Sequence, residues 1–334
     1  MEFSNLQQEL FAQIKKSLAP HLSLVDEIAE LLSISNDSAY RRIRGEKPLL
    51  FEELQKLAVH YHLSLDAILN LQSDSTVFHG SYVTNQNFDF ATYLKDMLHQ
   101  LQHVNSFEKK DFYYEAKDIP PFHYFQFPEL AAFKYFFWMK TILQYPQYAK
   151  SFFEPDTLPK DIFDTGKKII ETYNAIPSVE LWSAEVVNIT IRQIEFYKES
   201  GVFRSKEQIA QLFEQFLALI EHIEKQAEAG AKFPAGKTAD SSIAPFKLCY
   251  NEVMLGHNTI LAITGNSKMV FLNHGILNYL ITTDERFCNY TYESLQNLIR
   301  KSVLISAAGE KERSRFFNIL KNKVTEMRDL VTVS

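Results

Sequence analysis

The sequence predicts a mainly α, α+β chain: a small N-terminal bundle of helices followed by a larger α+β domain built on an antiparallel sheet. Three observations predict it. Apolar residues recur at three- and four-residue spacing in short capped runs over 4–69. Longer runs of the same period cover 88–104, 129–143, 159–174, 183–200, 205–228, 292–306 and 310–330. Between them lie short aromatic or β-branched runs at 111–116, 121–127, 246–254, 259–264 and 269–273, bounded by turn residues.

In chain order, 4–18 reads as a helix with Leu6, Leu10, Phe11 and Ile14 on one side, either the first helix of the bundle or a dimerisation arm. Two short helices follow, 24–32 and 36–44, split by a tight turn. In the first, Ser23 stands at the N-cap with Asp26 three residues on, and Val25, Ile28, Ala29 and Leu32 share a face. Ser33 and Ile34 break the pattern, Ser35 caps the second helix, and Gly45 supplies the left-handed residue that ends it. This is a helix-turn-helix layout. On a helical wheel Ala39 and Ile43 turn toward the first helix, whereas Asp37, Arg41 and Arg44 turn away, flanked by Ser38 and Tyr40. Arginines amid hydrogen-bonding side chains are what a reader of the DNA major groove needs.

After the turn Glu46-Lys47-Pro48, residues Phe51, Leu54, Leu57 and Ala58 mark a third amphipathic helix, and Ser64 caps a fourth that begins near Leu65. The run IAELLSISNDSAYRRIRGEKPLLFEELQKLAVHYHLSLDAIL resembles the DNA-binding domain of the Xre/phage-repressor helix-turn-helix family. The matching pieces are Ala29, Ser35, the pair Arg44-Gly45, and the closing pattern from Lys56 to Leu69. Within that family it is most similar to regulators of Bacteroidetes type that carry a long C-terminal domain of unknown role. The resemblance covers about the first 70 residues. It implies a sequence-specific, homodimeric transcriptional regulator that lays 36–44 in the major groove. Arg41, Asp37, Ser38 and Asn36 are the expected base readers, with Ser35 opening the helix. Tyr40, Arg42, Arg44, Lys47 and the helix start near Ser23 are the expected phosphate contacts. Two departures stand out: Ser33 occupies a turn position where the family usually has glycine, and Arg42 a position where it usually has an aliphatic residue.

Residues 71–87 lose periodicity and read as a linker, with one short strand near 76–78. Three parts result: a DNA-binding domain at 1–70, the linker, and a domain at 88–334 for dimerisation and the sensing of an effector. Within the last, 111–116 and 121–127 are expected to pair as an antiparallel hairpin. The three strands from 246 to 273 are expected to be consecutive and antiparallel, an order compatible with PAS- or GAF-type sensor domains.

The formal net charge of −6 argues against a protein that coats nucleic acid without regard to sequence. Even 1–70 carries seven Lys or Arg against ten Asp or Glu, so any positive face must be local. Two cysteines, Cys249 and Cys288, lie in apolar surroundings and are expected to be reduced. The start MEFSNLQQEL is not a secretory leader, and the apolar run 130–143 contains Lys134 and Lys140, so a cytoplasmic location without membrane contact is expected.

Other chemistry is weaker. The segment 231–238, AKFPAGKT, fits a loose phosphate-loop pattern but lacks a preceding strand and a following helix, and reads as a surface loop. His99 and His103 stand four apart on a helix without a third ligand; His257, His274, Cys249 and Cys288 have no spacing that demands a metal. Arg313 and Arg315 read either as ordinary helix-start charges or as an anion clamp. The aromatics Tyr124, Phe127, Phe133, Tyr135, Phe136, Phe137 and Trp138 read as core, with a small-molecule pocket as the alternative. No nucleophile, base or carboxylate pair assembles at meaningful spacing, so no enzyme activity, cofactor or metal is expected. The rival to DNA binding is a protein-association scaffold that uses the same helix pair.

Overall fold

The computed structural model describes residues 3–19, 21–61, 63, 65–68, 75–80, 88–238, 244–253, 255–275 and 277–333. It is α+β. The N-terminal helices are α1 (Phe3–Ser17), α2 (Leu24–Leu32), α3 (Asn36–Ile43), α4 (Phe51–His60) and α5 (Leu65–Ile68). They close a core of their own around Leu10, Phe11, Ile14, Ile28, Ala29, Leu32, Ala39, Leu57 and Ile68. Helix α1 therefore belongs to the bundle. Phe51, expected on the inner face of α4, is instead 78% exposed. The expected cap Ser64 lies outside the described residues.

Of the expected linker, only 75–80 is described. No separate strand forms there; His79 exchanges two 2.7 Å backbone hydrogen bonds with Ile281, and Thr282 Oγ1 donates to Val77 O at 2.7 Å. The stretch thus lies along an edge strand of the sheet.

The remainder runs α6 (Phe90–Asn105), β1 (Lys110–Ala116), α7 (Pro128–Phe137), α8 (Lys160–Asn174), β2 (Ser178–Trp182), α9 (Asn188–Glu199) and α10 (Lys206–Ala229). It continues with β3 (Phe246–Tyr250), β4 (Thr259–Thr264), β5 (Ser267–Asn273), β6 (Tyr279–Thr282), α11 (Glu285–Arg300), β7 (Val303–Leu304) and α12 (Glu310–Val333). The strands form one seven-stranded sheet in the order β6-β5-β4-β1-β2-β3-β7. It is mixed, not antiparallel: β1, β2 and β3 are mutually parallel, while β4, β5, β6 and β7 join antiparallel.

Two expectations fail here for identifiable reasons. The run 121–127 is no strand; Pro121–Gln126 is a 3₁₀ turn, with the His123 N–H donating to Pro120 O at 3.1 Å. Consecutive prolines remove two ladder donors and preset a helical φ, so the aromatic content of that run served packing. In place of the hairpin, β1 pairs in parallel with β2, a strand hidden in what reads as a helical stretch. SVELW is buried on both faces and only five residues long, which erases the alternation by which a strand is recognised. As a consequence β3 and β4 are not neighbours: β1 and β2 stand between them, and the consecutive antiparallel order behind the PAS- or GAF-type expectation is absent.

One face of the sheet carries Phe112, Tyr114, Trp182, Phe246, Leu248 and Ile260 into a large aromatic core shared with α6 to α10 and α12. The other carries Leu261, Val270, Leu181 and Cys249 beneath α11 alone. Among the described residues, no helix is long and apolar enough to cross a membrane.

Candidate nucleic-acid interface

Helix α3 is short, so its ends decide whether it holds. At the entry, α2 closes with Ser33 in the left-handed region (φ 55°, ψ 48°). The Ser33 and Ile34 amides donate to Glu30 O and Ala29 O at 3.1 and 3.0 Å. The serine thus adopts a conformation for which glycine is best suited, with hydrogen bonds that offset the strain. Ser35 accepts from the Ser38 amide at 3.3 Å and caps α3. Ser23 sits at the N-cap of α2 with extended backbone, but its side chain makes no capping bond, so the expected capping box is missing. At the exit, Gly45 (φ 76°) and Glu46 donate to Arg42 O and Arg41 O at 3.0 and 2.9 Å, the same closure used after α2.

Asn36, Asp37, Tyr40, Arg41, Arg44 and Lys47 are exposed, and Ser38 is half-buried. Asn36 Nδ2 donates to Asp26 Oδ1 at 2.8 Å, and Ser35 Oγ to Ser38 Oγ at 3.1 Å, so Asn36 is held from α2 and Ser38 from the cap of its own helix. The Arg44 guanidinium lies 5.6 Å from the Tyr40 ring centre and 3.2 Å from a Glu46 carboxylate oxygen, both in the open. Among the described residues, no ion pair or side-chain hydrogen bond engages Arg41 or Asp37.

Arg42 is the correction. Expected on a phosphate, it is buried, and its guanidinium forms a two-pronged pair with Glu53 of α4: Nε to Oε2 at 2.8 Å and Nη2 to Oε1 at 2.7 Å. Nη1 donates to Ser38 O at 3.1 Å. The hydrogen bonds from Arg42 hold the Glu53 carboxyl below the usual carboxylate range, against the opposing pull of burial. Arg42 therefore occupies an inward position by pairing inside it, and its charge is spent on α4. Glu53 gives no warning of this in the sequence, because a glutamate near a helix start reads as an ordinary first-turn charge.

Gln7 and Gln8 on α1 are the other residues sequence reasoning missed. Gln7 Nε2 donates to Arg42 O and Lys47 O at 2.7 and 2.8 Å, and its Oε1 accepts from the Leu49 amide at 3.0 Å. Gln8 Nε2 donates to Arg44 O at 2.9 Å. No local motif announces a side chain that serves a backbone some 40 residues away.

Residues 8–99 match a family model described as the BetR domain. The BetR match opens inside α1, spans α2 to α5, and ends inside α6. It thus contains the whole candidate interface except Gln7 and the start of α1, and runs past position 70. It covers under a third of the 334 residues, and is a similarity of that stretch. No curated protein matches the chain, and no solved structure does.

The second part of the chain offers other groupings. The run 231–238 is only partly on the surface: Lys232 and Phe233 are buried, and the segment leads from α10 toward β3, the wrong order for a phosphate loop. Lys232 Nζ donates to Tyr173 O at 2.6 Å and sits 3.6 Å from that ring's centre, where burial pulls its ammonium down to about 7. Nearby, the buried Glu180 carboxylate accepts from Tyr173 OH at 2.6 Å and Trp182 Nε1 at 2.8 Å, and lies 2.9 Å from His123 Nε2. Burial acts to raise the Glu180 carboxyl, but the charge and hydrogen bond of His123 and the Tyr173 hydroxyl outweigh it. These groups are sealed within the aromatic core and reach no solvent. The aromatics of 124–138 likewise fill that core.

Arg313 is buried, donating to Ile305 O and Ala308 O at 3.2 and 3.3 Å, so the alternative of a clamp shared with the exposed Arg315 is not formed. Both cysteines are free and buried, in separate apolar clusters. Among the described residues, no group of three His, Cys, Asp or Glu side chains is placed to hold a metal. A cleft of about 420 Å³ opens beyond the ends of β1 and β3, between Glu115, Asn251, Leu255, Leu298 and Lys301.

Proposed function

We propose that the chain is a sequence-specific DNA-binding regulator in which α2 and α3 act as a helix-turn-helix and α3 enters the major groove. The observation that carries the reading is Arg41: an exposed cation on the outer face of a helix closed at both ends, with Asp37, Asn36 and Ser38 beside it and, among the described residues, no ion pair or side-chain hydrogen bond engaging it. Such a guanidinium is free to bridge the two acceptors of a guanine edge. Tyr40, Arg44 and Lys47 are the phosphate contacts of this reading, and Arg42 is not among them. The larger α+β part serves dimerisation and the binding of an effector, so that two α3 helices stand about one helical turn of DNA apart. A regulator of this kind works in the cytoplasm, where its operator is.

The test is a selection of bound fragments from random duplexes with the full chain, followed by affinity measurements across salt concentrations. Arg41→Ala is expected to cost about 1 to 3 kcal/mol on the selected sequence and to relax the preference at one base pair. Equal loss on every sequence would move Arg41 to a phosphate. The rival, protein association through the same N-terminal bundle, draws on Leu50, Phe51 and Val59, which are 58%, 78% and 68% exposed on and beside α4. It predicts no salt-dependent binding to duplex at all.

A further inference from the structure

We infer that Gln7 is the positioning residue of this interface: it holds the segment that carries Arg44 and Lys47 in the shape that meets the phosphate backbone. The inference rests on the DNA-binding reading above and adds a residue that touches no DNA. The Gln7 side-chain amide behaves as an inserted peptide unit. Both of its N–H hydrogens are used, on Arg42 O at 2.7 Å and Lys47 O at 2.8 Å, and its carbonyl takes the Leu49 amide at 3.0 Å. Gln8 adds a bond to Arg44 O at 2.9 Å. Four bonds from adjacent residues of α1 thus stitch 42–49 at its start, middle and end.

The Arg42–Glu53 pair and the packing of Ile43 and Leu49 on the bundle core hold the two ends of the segment; its exposed middle, 44–48, has little else. Lys47 and Pro48 are exposed, and beyond the helix-closing bonds of Arg44, Gly45 and Glu46 the backbone there is tied, among the described residues, by one 3.3 Å contact from the Lys47 amide to Arg41 O. The bonds lie near the surface, so water replaces them at small cost to the fold when Gln7 is lost. What is lost is order: the two cations then have to be fixed on DNA at the moment of binding. A phosphate contact fixed in advance contributes to affinity and to its salt dependence without regard to base sequence.

The experiment compares the full chain with Gln7→Leu and Gln7→Glu. Gln7→Glu keeps the acceptor for Leu49 but replaces both donors with charge. Operator and random-duplex affinities are measured from low to moderate salt, with backbone hydrogen exchange of 44–49 in the free protein and urea unfolding as the fold control. Expected are a loss of about tenfold on operator and random duplex alike, and a salt slope shallower by about 1 to 2. Exchange at the Leu49 amide should rise while the urea midpoint holds, and Gln7→Glu should fail to rescue binding. If Leu49 exchange rises but both affinities and slopes stay at the wild-type value, Gln7 orders a segment that DNA does not use and the inference falls alone. If the loss falls on the operator only, Gln7 acts on base reading and the inference is likewise overturned. If the wild type binds no duplex, the DNA-binding reading falls with it, and the exchange result still reports whether Gln7 orders the segment.

Discussion

The burial of Arg42 can be tested by removing the pair one partner at a time and then together. Arg42 has 4% of its side chain exposed and Glu53 14%, so the guanidinium is shut off from water and the carboxylate keeps only limited access to it. Arg42→Leu leaves the Glu53 carboxylate with the Leu50 amide at 3.1 Å as its one remaining hydrogen-bond partner among the described residues and should cost about 3 to 5 kcal/mol. Glu53→Leu strands the guanidinium on Ser38 O and should cost a similar amount. With both replaced, the buried charges vanish together and two apolar side chains fill the space. The remaining cost is the lost acceptor for the Leu50 amide, about 1 kcal/mol. The expected signature is a large coupling energy, with the double variant more stable than either single. Because the N-terminal bundle has its own core, one global transition is a poor probe. Hydrogen exchange of the amides of α2 and α4 reads the bundle directly. A cost below about 1 kcal/mol for Arg42→Leu would show the Glu53 carboxylate to be solvated in spite of its place in the bundle, and would refute the argument. The double variant should also keep the salt slope of duplex binding; a slope shallower by about 0.9 would return Arg42 to the phosphates.

Two further outcomes concern the larger core. A Cβ on Gly166 would meet Tyr135 Oη at 2.1 Å, and that hydroxyl is buried without a hydrogen-bond partner among the described residues, so Gly166→Ala should destabilise by about 1 to 3 kcal/mol. Tyr135→Phe should be neutral or better alone and should restore much of the loss, measured as denaturant midpoints in a double-mutant cycle. Burial holds the His222 imidazole, within 3.0 Å of Phe233 O, at about 4 against an ordinary 6.5. The unfolded chain therefore takes up a proton below 6.5 that the native chain refuses. Its stability contribution is present above pH 6.5 and is lost as pH falls toward 4, by about 3 kcal/mol in all. In urea titrations His222→Gln should flatten that part of the pH profile; an unchanged acid limb would place the loss elsewhere.

Much of the bundle was legible because its signals are local. Ser35, Gly45 and the spacing of Ile28, Ala29, Leu32 and Ala39 each act within one turn of their own positions, and the structure places α2 and α3 within a residue of the reading. Long amphipathic runs such as α8 and α10 were legible for the same reason. The sheet was not. The strand β2 loses its alternation by being buried on both faces, β6 and β7 are too short to show a period, and the run after Pro120 carries strand-like aromatics on a 3₁₀ turn.

The candidate interface divides along the same line. The outward position of Arg41 follows from helical geometry and is present in the chain's order of residues. The inward position of Arg42, one step along the same helix, requires Glu53 on another helix to neutralise it, and Gln7 matters only because α1 packs across the end of α3. The amino-acid order by itself determined which short stretches would be helical, where they stop, and which face each one offers, because caps and periodicity are near-neighbour effects. Which arginine is spent inside and which remains free, which strands are neighbours, and which glutamine ends up holding the exposed cations were decided only by the tertiary structure. Those outcomes depend on charges and backbone groups brought together from distant parts of the chain.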